Sequence, residues 1–187
     1  MATCGGENNI GDDIMLVTLI RNIRRCLSPC EIVIFTANRN NTKKLLKREG
    51  VPLEFLRTVY SGRWGILEPD RRFLGTALWI FETFFWIYKS DLLLLGGGIP
   101  IYDETNHFKL LFYLSRPMLS YLLNTPYSFV GISSGKVTWR FSKVLTKFLG
   151  NRTKFIAVRD FQSVTEFQAL GIAKRKIIPF ADLSFCE

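Results

Sequence analysis

Short β-branched and leucine-rich runs alternate along this chain with longer stretches whose apolar residues recur at helical spacing. That is the pattern of a parallel sheet with crossover helices. The strand-like runs fall at residues 31–36, 55–60 (the weakest), 91–95, 127–132, 155–158 and 177–180. Between the loop at the start and the first of these, 12–27 sets Leu16, Leu19, Ile20, Ile23 and Leu27 on one face of a helix and Arg21, Arg24 and Arg25 on the other. A second helix is expected to open at Ser134 or Gly135, with Val137, Phe141, Val144, Leu145 and Phe148 inward and Lys136, Arg140, Lys143 and Lys147 outward. A third is expected over 161–170, capped by Asp160 and stopped by Gly171, with Val164, Phe167 and Leu170 facing the core.

Two stretches depart from this amphipathic pattern. Residues 73–88 are almost continuously apolar and aromatic, yet fall short of the ~20 needed to span a bilayer and include Glu82. A narrow polar stripe runs through Thr76, Glu82, Thr83 and Lys89, with Trp79 and Trp86 on the same side. Two readings stand: a core or domain-interface helix, or one resting on a membrane surface with Arg71, Arg72 and Lys89 in the headgroup layer. The region 107–124 is also apolar, and Pro117 is expected to bend or divide it.

At 187 residues and 48% hydrophobic content, the chain buries a real core and is expected to form one domain over 1–187. A formal charge of +9, from 25 Lys and Arg against 16 Asp and Glu, favours anionic partners. The basic residues sit on outer helix faces rather than interleaved with exposed aromatics, so nucleic-acid binding is not expected. Cys4, Cys26, Cys30 and Cys186 with the single His107 lack the paired spacing of a zinc site, so no metal is expected. Neither a signal core nor a transit pattern opens the sequence, and a reduced, cytoplasmic chain is the expectation.

The chemistry gathers where strands should hand over to helices. Gly5, Gly6, Asn9, Gly11, Asp12 and Asp13 form a glycine-bearing loop of the kind that lets backbone N–H groups reach a ligand. Because only Met1 to Cys4 precede it, the first strand is expected to be nearly absent, or the chain to be a piece of a longer one. The run 91–95 delivers Gly96, Gly97 and Gly98 to a strand edge, and 130–132 delivers Ser133, Ser134 and Gly135. In open α/β sheets ligands bind outside such edges. The glycine spacing is not a dinucleotide fingerprint, so NAD is not expected. Arg159, at the end of 155–158, is suited to clamp a carboxylate or phosphate, or else it pairs with a carboxylate inside the fold. Asp160 caps the following helix, and Asp182 closes the last strand.

In this order and at these separations, Asn9-Ile10-Gly11-Asp12-Asp13, Leu93-Leu94-Leu95-Gly96-Gly97-Gly98, Val158-Arg159-Asp160 with Ser163, Leu170-Gly171 and Asp182-Leu183-Ser184-Phe185 resemble the polysaccharide pyruvyl transferase family. The resemblance covers nearly the whole chain. It implies a Rossmann-like parallel sheet flanked by helices, the N-terminal domain of a GT-B-like two-domain enzyme, with the first strand and the second domain expected to be missing. The implied activity moves a pyruvyl group from phosphoenolpyruvate onto paired hydroxyls of a cell-surface polysaccharide, or its lipid-linked precursor, as a ketal. In this picture Arg159 is the cationic clamp, supplemented by N–H groups of Gly96 to Gly98 and Ser133 to Gly135. Asp12 and Asp13 orient or deprotonate acceptor hydroxyls, unless their role is helix capping, and Asn9, Gly11, Ser163 and Asp182 complete the binding set. No cofactor is implied beyond phosphoenolpyruvate as donor, and His107 is not expected to be the acid. A glycosyltransferase using a nucleotide sugar and a non-catalytic basic binding module are the alternatives. The aromatic helix over 71–90 would place the enzyme at the inner face of the membrane.

Overall fold

The structure, a computed structural model, describes residues 2–3, 10–36, 38–54, 56–60, 72–96, 100–104 and 107–180; at 2–3, 60 and 72–79 it describes the backbone alone. The elements follow in the order β1 (Ala2–Thr3), α1 (Ile10–Leu27), β2 (Ile32–Thr36), α2 (Arg39–Arg48), β3 (Leu56–Tyr60), α3 (Arg72–Lys89), β4 (Leu93–Gly96), α4 (His107–Leu122), β5 (Tyr127–Ile132), α5 (Arg140–Arg152), β6 (Ile156–Val158), α6 (Phe161–Ala169) and β7 (Ile177–Pro179). All described strand pairs are parallel, in the order β3-β2-β1-β4-β5-β6-β7. This is the expected Rossmann-like α/β sheet, with the strand order reversing between β1 and β4. The place of the first strand is not empty: Ala2 and Thr3 pair with both β2 and β4 and hold the centre of the sheet.

Strands buried on both faces feed two cores. On one face, Leu16, Ile20, Ile32, Ile34 and Leu46 unite α1 and α2 with the sheet. On the other, Ile87, Leu95, Leu110, Leu114, Phe129, Leu149, Ile156 and Phe167 gather α3 to α6. β2, β4, β5 and β6 are therefore apolar at nearly every position rather than at alternate ones, whereas the edge strand β3 carries Arg57 and Thr58.

Several local expectations change. α4 continues across Pro117 as one helix, with the proline ring buried. α5 begins at Arg140 rather than at 134 or 135, because the preceding segment is tied elsewhere. Ser134 bridges Ile101, Gly135 N–H donates to the Ile101 carbonyl at 2.9 Å, and Asp103 N–H donates to the Lys136 carbonyl at 3.2 Å. The later start turns Ser142, Thr146, Leu149 and Gly150 inward and leaves Phe141 and Val144 exposed. Leu27, expected inward at the end of α1, is 57% exposed. On α3, Trp86 packs against the core with Thr83 and Ile87 buried, while Ile80, Phe81, Phe84 and Tyr88 face outward. Trp86 is thus not on the outer face, and Glu82 of the polar stripe is paired with Arg39 at 2.6 Å.

Candidate functional site

Parallel pairing carries the carboxyl ends of β4, β5 and β6 to one edge of the sheet, beside the reversal in strand order. Gly96 ends β4 in register with Val130, and Ile132 ends β5 in register with Val158. That last pairing depends on a bulge. At Gly131, whose φ of 63° suits glycine, the register slips from Val130 opposite Ala157 to Ile132 opposite Val158. The slip sets the next residues, Ser133 and Arg159, side by side, and Arg159 N–H donates to the Ile132 carbonyl at 3.2 Å.

A chain of hydrogen bonds then crosses the edge. Arg159 Nε donates to Ser133 Oγ at 2.6 Å, and that hydroxyl donates to Asp160 Oδ2 at 2.5 Å. Asp160 Oδ1 accepts the Ser163 N–H at 2.6 Å as the cap of α6, as its position in the sequence implies. Ser163 Oγ in turn accepts the Ser134 N–H at 2.8 Å. Ser133, Ser134 and Ser163 are all buried. Burial pushes the Asp160 carboxyl up, but the hydrogen bonds from Ser133 and Ser163 and the charge of Arg159 hold it below the usual aspartate value. Cation, hydroxyl and carboxylate are therefore fixed in relation to one another at the tips of β5 and β6.

This arrangement reassigns part of the expected binding set. The N–H groups of Ser134 and Gly135 are spent on Ser163 Oγ and the Ile101 carbonyl, so they are not the anion donors expected of them. Ser134 Oγ bonds to the carbonyls of Ile101 and Gly135. Gly135 has a steric reason to be glycine, since a Cβ there would lie 3.0 Å from Tyr102 Cβ. Ser163 is fully buried and joins α6 to the β5 loop; it positions Asp160 rather than facing a crevice. Asp12 and Asp13 lie half-buried in the first turn of α1, where they compensate the positive end of the helix. Asp13 lines a cavity of about 240 Å³ between α1 and α2 together with Arg21, Arg48 and Glu49, apart from the Arg159 network. Gly11 is exposed beside them, and Gly96 is buried at the end of β4. Asn9, Gly97, Gly98 and Asp182 lie outside the described residues.

One residue at this edge was not anticipated. Asp103 is completely buried, and its carboxylate accepts Thr138 N–H at 2.6 Å, the Thr138 hydroxyl at 2.8 Å and Trp139 N–H at 3.1 Å, holding the two residues that lead into α5 from a distant loop. Burial raises its pKa and these bonds lower it by more, leaving the carboxyl below the ordinary aspartate value. His107, the first residue of α4, places Nδ1 3.5 Å from Asp103 Oδ2 and its ring 5.4 Å from that of Trp139. The sequence held one signal for this pair, an aspartate four residues ahead of the only histidine.

Comparison with known proteins supplies three findings. A family model described as polysaccharide pyruvyl transferase matches residues 9–186. No curated protein matches the sequence. Among solved structures, Anabaena Alr3699/HepE in complex with UDP and glucose is similar at a TM-score of 0.59 and 13% identity, and its UDP complex at 0.59 and 14%. The UDP-glucose complex gives 0.58 and 13%. These matches cover 97% of this chain but 42 to 43% of the HepE chain, so the sequence spans less than half the length of that neighbour. At such identity the likeness establishes the fold alone.

Proposed function

The chain belongs to the polysaccharide pyruvyl transferase family, and on that premise we propose that it forms the Rossmann-like half of a GT-B-like enzyme that transfers pyruvate from phosphoenolpyruvate to two hydroxyls of a sugar. The observation that carries the proposal is Arg159, held by Ser133 at the carboxyl edge of the sheet where open α/β folds bind ligands. In the reaction, one sugar hydroxyl adds to the enol carbon while a proton goes to the methylene, and a second hydroxyl displaces phosphate to close the ketal. Two anionic groups, carboxylate and phosphate, must be held throughout. A guanidinium fixed by a hydrogen bond to a buried serine is preorganised for one of them. The carboxylate of Asp12 would orient acceptor hydroxyls at the opening of α1, while Asp13 lines the separate cavity between α1 and α2.

The acceptor side of this reading is a sugar or polysaccharide, in keeping with exopolysaccharide assembly in the cell envelope. Among the described residues no helix is long and apolar enough to cross a membrane. The outward face of α3 (Ile80, Phe81, Phe84, Tyr88) would let the protein rest on the inner face of the membrane, where lipid-linked sugars are presented.

A nucleotide-sugar donor is the second reading, favoured by the UDP and UDP-glucose complexes of HepE. Thermal unfolding of wild type and Arg159→Ala with each donor separates the two. Phosphoenolpyruvate at millimolar concentration should raise the melting temperature of wild type but not of Arg159→Ala. Protection by UDP-glucose alone would reject pyruvyl transfer.

A further inference from the structure

α5 carries apolar residues on its outer face and hydroxyls on its inner one. Its late start turns Ser142 and Thr146 into the core, where the Thr146 hydroxyl is buried without a hydrogen-bond partner, and leaves Phe141 and Val144 55% and 67% exposed. An unpaired buried hydroxyl and a pair of apolar side chains in water are each unfavourable. The second cost disappears when the outer face has an apolar phase to press against.

Cations flank the exposed pair. At 3.6 residues per turn, Arg140, Lys143 and Lys147 line up on one side of Val144, and Phe141 falls on the other. Lys147 lies over Gly171, and Asn151 ties α5 to the segment beyond it: its Nδ2 donates to the Gly171 carbonyl at 3.0 Å, and its Oδ1 accepts the Ala173 N–H at 3.0 Å. That staple carries the exposed Lys174 and Arg175 to the side of α5 that bears its own cations. Among the described residues no carboxylate pairs with any of these basic side chains. The neighbouring helices extend the pattern. α4 packs against both α3 and α5 on one face of the sheet, and the three helices together hold a single acidic residue, Glu82, which is paired with Arg39.

The geometry points to a peripheral membrane site on α5, with Phe141 and Val144 entering the acyl boundary of the bilayer and Arg140, Lys143, Lys147, Lys174 and Arg175 binding the anionic headgroups around them. This is the layout of an interfacial helix, an apolar strip bordered by cations whose aliphatic stems lie along it. Charge selects a negatively charged lipid surface. Val144 at the centre selects a bilayer over a nucleic acid, whose binding surfaces combine cations with stacking aromatics and have no use for an aliphatic side chain. The site lies in the same helical layer as the outward face of α3, so it adds a second, electrostatic anchor there. It rests on the proposal that the protein works at a membrane, and on neither choice of donor.

The test is cosedimentation of the full chain with vesicles of phosphatidylcholine alone and of phosphatidylcholine mixed with an equal part of phosphatidylserine. Lys143→Gln with Lys147→Gln should weaken partitioning onto the mixed vesicles by roughly 10–30-fold and leave binding to phosphatidylcholine unchanged. Phe141→Ser with Val144→Ser should weaken the mixed-vesicle partitioning by at least about tenfold. Both variants should melt close to wild type, since all four side chains are exposed. Equal partitioning of wild type and the two α5 variants would overturn the site. If Phe81→Glu with Phe84→Glu then still releases the chain from vesicles, the membrane contact belongs to α3 alone; a wild-type chain that binds neither vesicle would overturn both. Binding of a single-stranded oligonucleotide that the lysine variant loses and the Phe141 and Val144 variant keeps would give the surface to nucleic acid and overturn the lipid.

Discussion

Arg159 and Asp160 are adjacent in the chain, yet they communicate through a third residue: the Ser133 hydroxyl accepts from Arg159 Nε at 2.6 Å and donates to Asp160 Oδ2 at 2.5 Å. Ser133 comes from the neighbouring strand, so the guanidinium is oriented by the sheet rather than by its own helix cap. Replacing Ser133 by alanine leaves both charged groups without this partner. The expected cost is about 1–3 kcal/mol, read as a lower urea midpoint at unchanged slope. Protection by phosphoenolpyruvate should weaken in the same variant, and full protection would detach Ser133 from the site.

Gly131 sets that meeting. Its positive φ lets β5 bulge so that Ser133 falls beside Arg159. Gly131→Ala should destabilise the protein by about 1–2 kcal/mol, the strain of a side chain in the left-handed region. Crosspeaks linking Ser133 and Arg159 in an NMR spectrum should be lost at the same time. A variant as stable as wild type would show that the bulge does not need glycine.

Acid should unfold the protein through two aspartates. Asp103 and Asp160 both have folded-state pKa values below the ordinary one, so protons bind the unfolded chain more readily. Their stabilisation is complete above the unfolded value of about 3.9 and is lost as pH falls from there through the lowered folded values. Asp103→Asn should cost about 1–3 kcal/mol near pH 7, because an amide cannot accept all three bonds from Thr138 and Trp139. The difference from wild type should shrink below pH 4 in denaturant titrations, and a constant difference would refute the assignment.

The outward aromatic face of α3 makes a separate prediction. Phe81→Glu with Phe84→Glu should reduce cosedimentation with vesicles containing anionic lipid by at least about tenfold, from the loss of two inserted rings. Trp86→Glu should instead lower the melting temperature, since Trp86 packs on the core beneath Arg57. Equal partitioning of the double variant and wild type would remove the membrane from the proposal.

The sequence by itself determined the layered α/β plan. Each later strand falls on a predicted run, β4 reaching one residue past its run to Gly96, the Asp160 cap and Gly171 stop of α6 stand as expected, and Arg159 falls at a strand tip. These features are legible because they depend on local chemistry: apolar period, a capping carboxylate, a glycine at positive φ. What lies between strands was not. α5 starts late because Asp103, 35 residues before Thr138, ties down Thr138 and Trp139 ahead of it, and Phe141 and Val144 point outward while Ser142 and Thr146 are buried. The Ser134 and Gly135 N–H groups read as available for a ligand in the sequence, but the Ser163 hydroxyl of α6 and the Ile101 carbonyl of the loop after β4 take them. Sequence spacing reports which face a residue occupies. Which partner takes each donor is decided only when distant segments are brought into register, because a hydrogen bond belongs to a pair of segments and not to either alone.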